Sequence, residues 1–115
     1  MRFLILLILF SFPAFSEDLI NYPNPFSSSQ TTKLKYTLVQ DAEVTIKIFS
    51  LFGDLVYEKT ISASNTYAKA GDNEFPWDGK NGQGEAVKSG GYICKIIVKY
   101  SNETKILKRK ISVIN

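Results

Sequence analysis

Apolar and polar residues alternate through most of this chain. Leu34, Tyr36 and Leu38 are interleaved with Lys33, Lys35 and Thr37, and Val44, Ile46 and Ile48 with Thr45 and Lys47. Alternation by twos gives a segment one face for a core and one for water, the mark of a half-buried strand. Residues 54–62 form a third run of strand-forming residues, and 91–100 and 104–113 two more, the last closed by Ile111 and Val113. Turn signals separate the runs at Gln40-Asp41, Phe52-Gly53-Asp54, Asn81-Gly82 and Ser101-Asn102. No stretch sustains a helical period. Five clear runs, with short ones near Tyr22 and Glu74, make about seven strands at a spacing of about ten residues, which predicts an all-β antiparallel sandwich or barrel.

The first residues break this pattern. Arg2 precedes an unbroken apolar run from Phe3 to Phe10, Pro13 interrupts it, and Ala14-Phe15-Ser16 places small residues where a signal peptidase reads. The segment 1–16 is therefore expected to be a secretory signal peptide, cleaved after Ser16. The competing reading is a short uncut anchor, but the run falls short of the about 20 residues a span requires. No cysteine follows the run, so lipid anchoring is not expected, and no second apolar stretch is long enough to cross a membrane. Removing 16 of 115 residues leaves 99, residues 17–115, enough for one domain with a real core.

Charge changes the picture little. Of the 14 basic residues one is Arg2, so residues 17–115 carry 13 against 11 acidic groups, a net of +2. The cluster Lys105, Lys108, Arg109 and Lys110 reads as a solvated strand edge, which discourages edge-to-edge aggregation. A nucleic-acid partner is not expected, because it would need a basic face carrying a recognised motif.

Candidate chemistry is sparse. There is no histidine, which removes Ser-His and Cys-His catalysis and His-ligated zinc together. Cys94 is the only cysteine, so no intrachain disulfide forms, and counting by twos puts it with Tyr92, Ile96, Val98 and Tyr100 on an apolar face, as a small hydrophobe. The stretch FPWDGKNGQG, residues 75–84, admits two readings. Asp72, Asp78 and Asn81 could hold calcium in an irregular loop, although Lys80 stands where a calcium loop needs an oxygen ligand. Alternatively Asn81-Gly82 is the central pair of a tight turn with positive φ, Asp78 bonds donors two residues on, and Trp77 plugs the core.

The prolines of Asn21-Tyr22-Pro23-Asn24-Pro25-Phe26 each lack a backbone donor, so this segment is expected along a sheet edge, with Tyr22 and Phe26 packing inward as anchors. These residues, followed by Thr31-Thr32 and Tyr36-Thr37-Leu38, resemble the opening of a bacterial immunoglobulin-like family. It includes the immunoglobulin-like domain of the flagellar hook-capping protein (FlgD-type) and C-terminal sorting domains of type IX secretion. The likeness continues in order through Val44 to Ile48 and Gly53. It runs on through Trp77, Asp78, Gly79, Asn81, Gly84, Val87, Gly90 and Tyr92 to the closing strand. The resemblance implies an immunoglobulin-like sandwich of about seven strands. It implies a structural, assembly or sorting module and no enzyme, with no cofactor and with protein partners whose identity is open. Export to the periplasm, the surface or the medium is expected. Sorting modules of this kind usually follow a larger cargo domain, so the specific job of a sorting domain or of hook capping is not carried over.

Overall fold

The computed structural model describes residues 18–27 and 29–115. The expected signal peptide at 1–16 and its cleavage after Ser16 lie outside the described residues. The described residues form eight strands: β1 (Leu19–Tyr22), β2 (Phe26–Ser27), β3 (Thr32–Leu38), β4 (Glu43–Ser50), β5 (Leu55–Ile61), β6 (Gly71–Trp77), β7 (Gly90–Lys99) and β8 (Thr104–Ile114). One sheet has the order β1-β3-β6 and the other β2-β8-β7-β4-β5. The two pack as an immunoglobulin-like sandwich, with no helix among the described residues. Every pairing is antiparallel except the short β2–β8 contact, where Phe26 and Ser27 run parallel to Val113 and Ile114. The Pro23-Asn24-Pro25 stretch carries the chain from an edge of one sheet to an edge of the other, where the missing proline donors cost no ladder bond.

The alternation read along the chain is the alternation of burial. Leu34, Tyr36 and Leu38 of β3, Val44, Ile46 and Ile48 of β4, and Tyr92, Cys94, Ile96 and Val98 of β7 are all buried, with Phe75 and Trp77 of β6 closing the core. Outward neighbours in these strands are charged, polar or half-covered. β4 runs on to Ser50, because Phe49 still pairs with Ile93 on one side and Leu55 on the other, and a bulge in the β4–β5 ladder falls between Ile48 and Phe49.

Two residues sit differently from expectation. Tyr22 is 61% exposed and is no anchor, whereas Phe26 is 2% exposed. The cause is pleat: in β1, Leu19 and Asn21 point inward, so Ile20 and Tyr22 point out. Arg109 is half-buried and not part of a solvated edge, for the same reason, since it shares the inward parity of Leu107 and Ile111. Its Nε donates to Asn21 Oδ1 at 3.0 Å; Asn21 Nδ2 donates to Thr32 Oγ1 at 3.2 Å, and Thr32 Oγ1 to the Pro23 carbonyl at 2.8 Å. Asn21 and Thr32 are buried. Their relay bridges the sheets and supplies partners that buried polar atoms require.

Candidate interaction surface

Residues 75–84 are held by Trp77 at the end of β6. The indole is 1% exposed, its ring edge-on to Phe26 at 5.6 Å and to Tyr92 at 6.2 Å, and its Nε1 donates to the Lys80 carbonyl at 3.0 Å. One side chain thus joins both sheets and the loop, burying a large apolar body while satisfying its one donor. Asp78 Oδ1 accepts from the Lys80 N–H at 3.1 Å, as expected. Asn81 Oδ1 accepts from the N–H groups of Gln83 and Glu85 at 2.9 and 3.0 Å, the Asn81 N–H donates to the Glu85 carbonyl at 2.8 Å, and the Gly84 N–H to the Asn81 carbonyl at 3.0 Å. The turn is tight, but Asn81-Gly82 is not its left-handed pair: positive φ falls at Gly79 (75°) and Gly84 (82°). A side-chain oxygen opening the turn and a left-handed glycine closing it divide that work.

The β4–β5 turn repeats this chemistry atom for atom. Ser50 Oγ accepts from the N–H groups of Phe52 and Asp54 at 3.2 Å, the Ser50 N–H donates to the Asp54 carbonyl at 2.8 Å, and the N–H of Gly53, at φ 93°, donates to the Ser50 carbonyl at 3.0 Å. Both turns spell a polar residue, two free positions, Gly and an acid: Ser50-Leu-Phe-Gly53-Asp54 and Asn81-Gly-Gln-Gly84-Glu85. The second turn also reaches β5, where the Gly82 N–H donates to the Val56 carbonyl at 3.0 Å and covers part of the strand's edge.

Asn24 does comparable work at the other edge. Its Nδ2 donates to the Lys110 carbonyl at 3.2 Å and its Oδ1 accepts from the Ser112 N–H at 2.9 Å, so one amide group pairs with β8 as a strand would. Pro23 and Pro25, each following a cis peptide bond, flank it, and Gly90 opens β7. The sequence motif Tyr22, Pro23, Asn24, Pro25, Phe26, Gly53, Trp77, Asp78, Gly79, Asn81, Gly84, Gly90 and Tyr92 is thereby scattered over turns, edges and core. Of these, Trp77, Asp78, Asn81 and Gly84 come together, lining an open depression beside Tyr57.

The calcium reading fails on distance. Asp72 and Asp78 lie beyond or near opposite ends of β6, about 20 Å apart at the rise of a strand. Asp72 accepts from Thr37 Oγ1 at 2.8 Å, while Asp78 Oδ1 and Asn81 Oδ1 accept from backbone donors. No cluster of three metal-ligating His, Cys, Asp or Glu side chains occurs among the described residues. Burial pushes the Cys94 thiol up to about 12, which makes it inert as a nucleophile. Burial likewise raises the Tyr36 hydroxyl well above the usual tyrosine range, and it donates to the Tyr67 carbonyl at 2.6 Å. Asp41 is held below the usual carboxylate range, first by the Ala70 N–H and then by Ser64 Oγ, each at 2.8 Å. These are fastenings of the loop after β5.

What remains available for function is exposed surface. Phe52 is 95% exposed at the β4–β5 tip, beside Leu51 at 56% and Leu55 at 48%. Leu51 lies over Gly91, where any Cβ would sit 2.8 Å from its Cδ1. Ser50, Gly53 and Gly91 thus fix a turn whose two free positions are large and apolar. The signal in the sequence is that Leu51-Phe52 occupies a turn, where polar residues are the rule.

The family model of the FlgD Ig-like domain matches residues 21–102. Among solved structures, FlgD from P. aeruginosa matches with a TM-score of 0.61 at 18% identity, over 87% of this chain and 77% of that one. Dimeric latent PorU from Porphyromonas gingivalis matches at 0.65 and 20%, over 84% of this chain and 9% of PorU. PorZ, described as an essential surface component of the type IX secretion system of the same bacterium, matches at 0.52 and 21%, over 84% of this chain and 11% of PorZ. The chain thus spans a small part of PorU and PorZ. No curated protein matches it in sequence.

Proposed function

The chain belongs to the FlgD Ig-like domain family, a non-enzymatic protein-interaction fold, and from that premise we propose that it is an exported structural or interaction module of a bacterial envelope. It performs no catalysis and takes no cofactor; it acts by surface contact at the β4–β5 tip. The observation that carries this reading is Phe52, almost fully exposed on a turn fastened by four hydrogen bonds through Ser50. A rigid exposed aromatic loses little conformational freedom on binding and supplies a large contact area. The signal peptide belongs to the same reading: the mature protein is residues 17–115, found in periplasm, on the surface or in the medium.

A second reading, an accessory of secretion or envelope assembly, draws on the likeness to PorU and PorZ, the latter a surface component of type IX secretion. Both readings are tested by placing a photo-cross-linking residue at position 52 of the tagged full chain and, as control, at Lys69. The expected result is a partner adduct from position 52 alone, on a protein whose intact mass begins at Glu17. Equal cross-linking from both positions would remove the support for the tip as a contact. Identification of secretion components in the adduct would favour the second reading.

A further inference from the structure

The outer face of the five-stranded sheet is ordered in rows that no single strand displays. Register places Leu55, Phe49 and Ile93 side by side across β5, β4 and β7, ending at Lys110 of β8. The next row is Glu58, Lys47, Lys95 and Lys108, and the one after it Thr60, Thr45, Ile97 and Ile106. A row of three lysines and Glu58 thus runs across the strands between a mostly apolar row and one that is threonine on β5 and β4 and isoleucine on β7 and β8, with neighbouring side chains about 5 Å apart at Cβ. The upper apolar row is continuous with the exposed tip through Leu51, which lies over Gly91 with Lys110 Cε alongside.

Charge is concentrated here. The face carries Lys47, Lys95, Lys99, Lys108 and Lys110 against Glu43 and Glu58, an excess of three that equals the net +3 of the whole chain. The opposite outer face, on β3 and β6, sets Lys33 and Lys35 against Asp72 and Glu74 and is balanced, with Glu74 3.8 Å from both lysines. On the basic face Lys47 reaches Glu58 at 3.7 Å and Lys99 reaches Glu43 at 4.0 Å. Lys95, Lys108 and Lys110 have no carboxylate within ion-pair distance among the described residues, although Lys95 and Lys108 are cross-strand neighbours of like charge. Like charges directly opposite are unfavourable in a sheet, so this pair costs stability in the free protein.

We propose that this face docks an acidic amphipathic segment of a partner protein, its carboxylates on Lys95, Lys108 and Lys110 and its apolar side chains on the flanking rows. The inference rests on the interaction-module reading and names the partner's chemistry. A protein segment fits better than a phosphate polymer, because Glu58 and Glu43 sit on the same face and repel a continuous polyanion, while the apolar side chains give it nothing to bind. Apolar side chains on both sides of Lys95 and Lys108, Phe49 and Ile93 in one row and Ile97 and Ile106 in the other, suit alternating carboxylate and apolar side chains, whose charge complementarity sets orientation.

The probe is a labelled synthetic peptide of mixed glutamate and leucine, titrated into residues 17–115, the mature protein of the reading above. Controls are a lysine-leucine peptide, polyglutamate and anionic phospholipid vesicles. The glutamate-leucine peptide is expected to bind best, with affinity that falls with salt but persists. The paired substitution Lys95→Glu and Lys108→Glu is expected to weaken it about tenfold or more. The same pair as Lys95→Gln and Lys108→Gln, which removes the repulsion and leaves the fold undisturbed, is expected to weaken it less. Absence of binding, equal binding to the charge-reversed protein, or tighter binding of polyglutamate or vesicles would overturn the proposal. The cross-link at position 52 is scored separately, so loss of peptide binding with that cross-link intact sinks this inference alone.

Discussion

Trp77 bears more of the fold than its neighbours in the loop. Its ring meets Phe26 from β2 and Tyr92 from β7, and its nitrogen holds the Lys80 carbonyl. Trp77→Ala is expected to lose about 3–5 kcal/mol in chemical denaturation, through lost burial and the cavity left behind. Lys80→Ala should lose almost nothing, because only its backbone is used. Equal small losses from both would contradict this account. Cys94 gives a pH signature of its own. Burial raises its thiol from an ordinary value of 9.0 to about 12. A raised acid favours the folded state below the unfolded value, so this contribution is complete below pH 9.0 and is lost as pH climbs towards about 12. Cys94→Ala should therefore flatten the decline in melting temperature above pH 9.0, and thiol reagents should label Cys94 only as fast as the protein opens.

Edges decide the element scale. β8 is long, and its free side is closed at one end by two residues of β2 and by the side chain of Asn24. Asn24→Ala removes both the donor to Lys110 and the acceptor for Ser112. The expected outcome is faster amide exchange at Ser112 with core amides such as that of Cys94 unchanged, read by hydrogen exchange and NMR; unchanged protection at Ser112 would show that β2 alone closes the edge. The sequence exposed the prolines as edge residues by their missing donors. That a single asparagine between them imitates a strand was not legible, because it depends on β8 arriving 86 residues later. Arg109 teaches the same lesson: its inward parity was countable from Leu107 and Ile111, but its partner Asn21 lies 88 residues away.

At the scale of the molecule, two sheets close around an apolar core with no disulfide, and both outer faces are left to solvent. One is electrically balanced and the other holds the surplus charge, so association is expected on the second. Charge totals hid this, since a chain net of +3 says nothing of where it lies. Residues of β5, β4, β7 and β8 that share a row come from four separate stretches, and only their register brings them together.

Period-two alternation settled the strands and their buried faces from the sequence alone, because pleat is local and burial repeats every second residue. Turn-forming residues marked where the runs break, but not which residue takes the left-handed backbone, since Gly79 and Gly84 do so and the Asn81-Gly82 pair does not. Pairing order, register and the sharing of partners belong to tertiary structure. They decided that Arg109 meets Asn21 and that the side chain of Asn24 closes part of the β8 edge. They also decided that Phe52 stands with Leu51 and Leu55 at a fastened tip and that five lysines share one face. Each of these depends on distances between segments remote in the chain, which local periodicity does not encode.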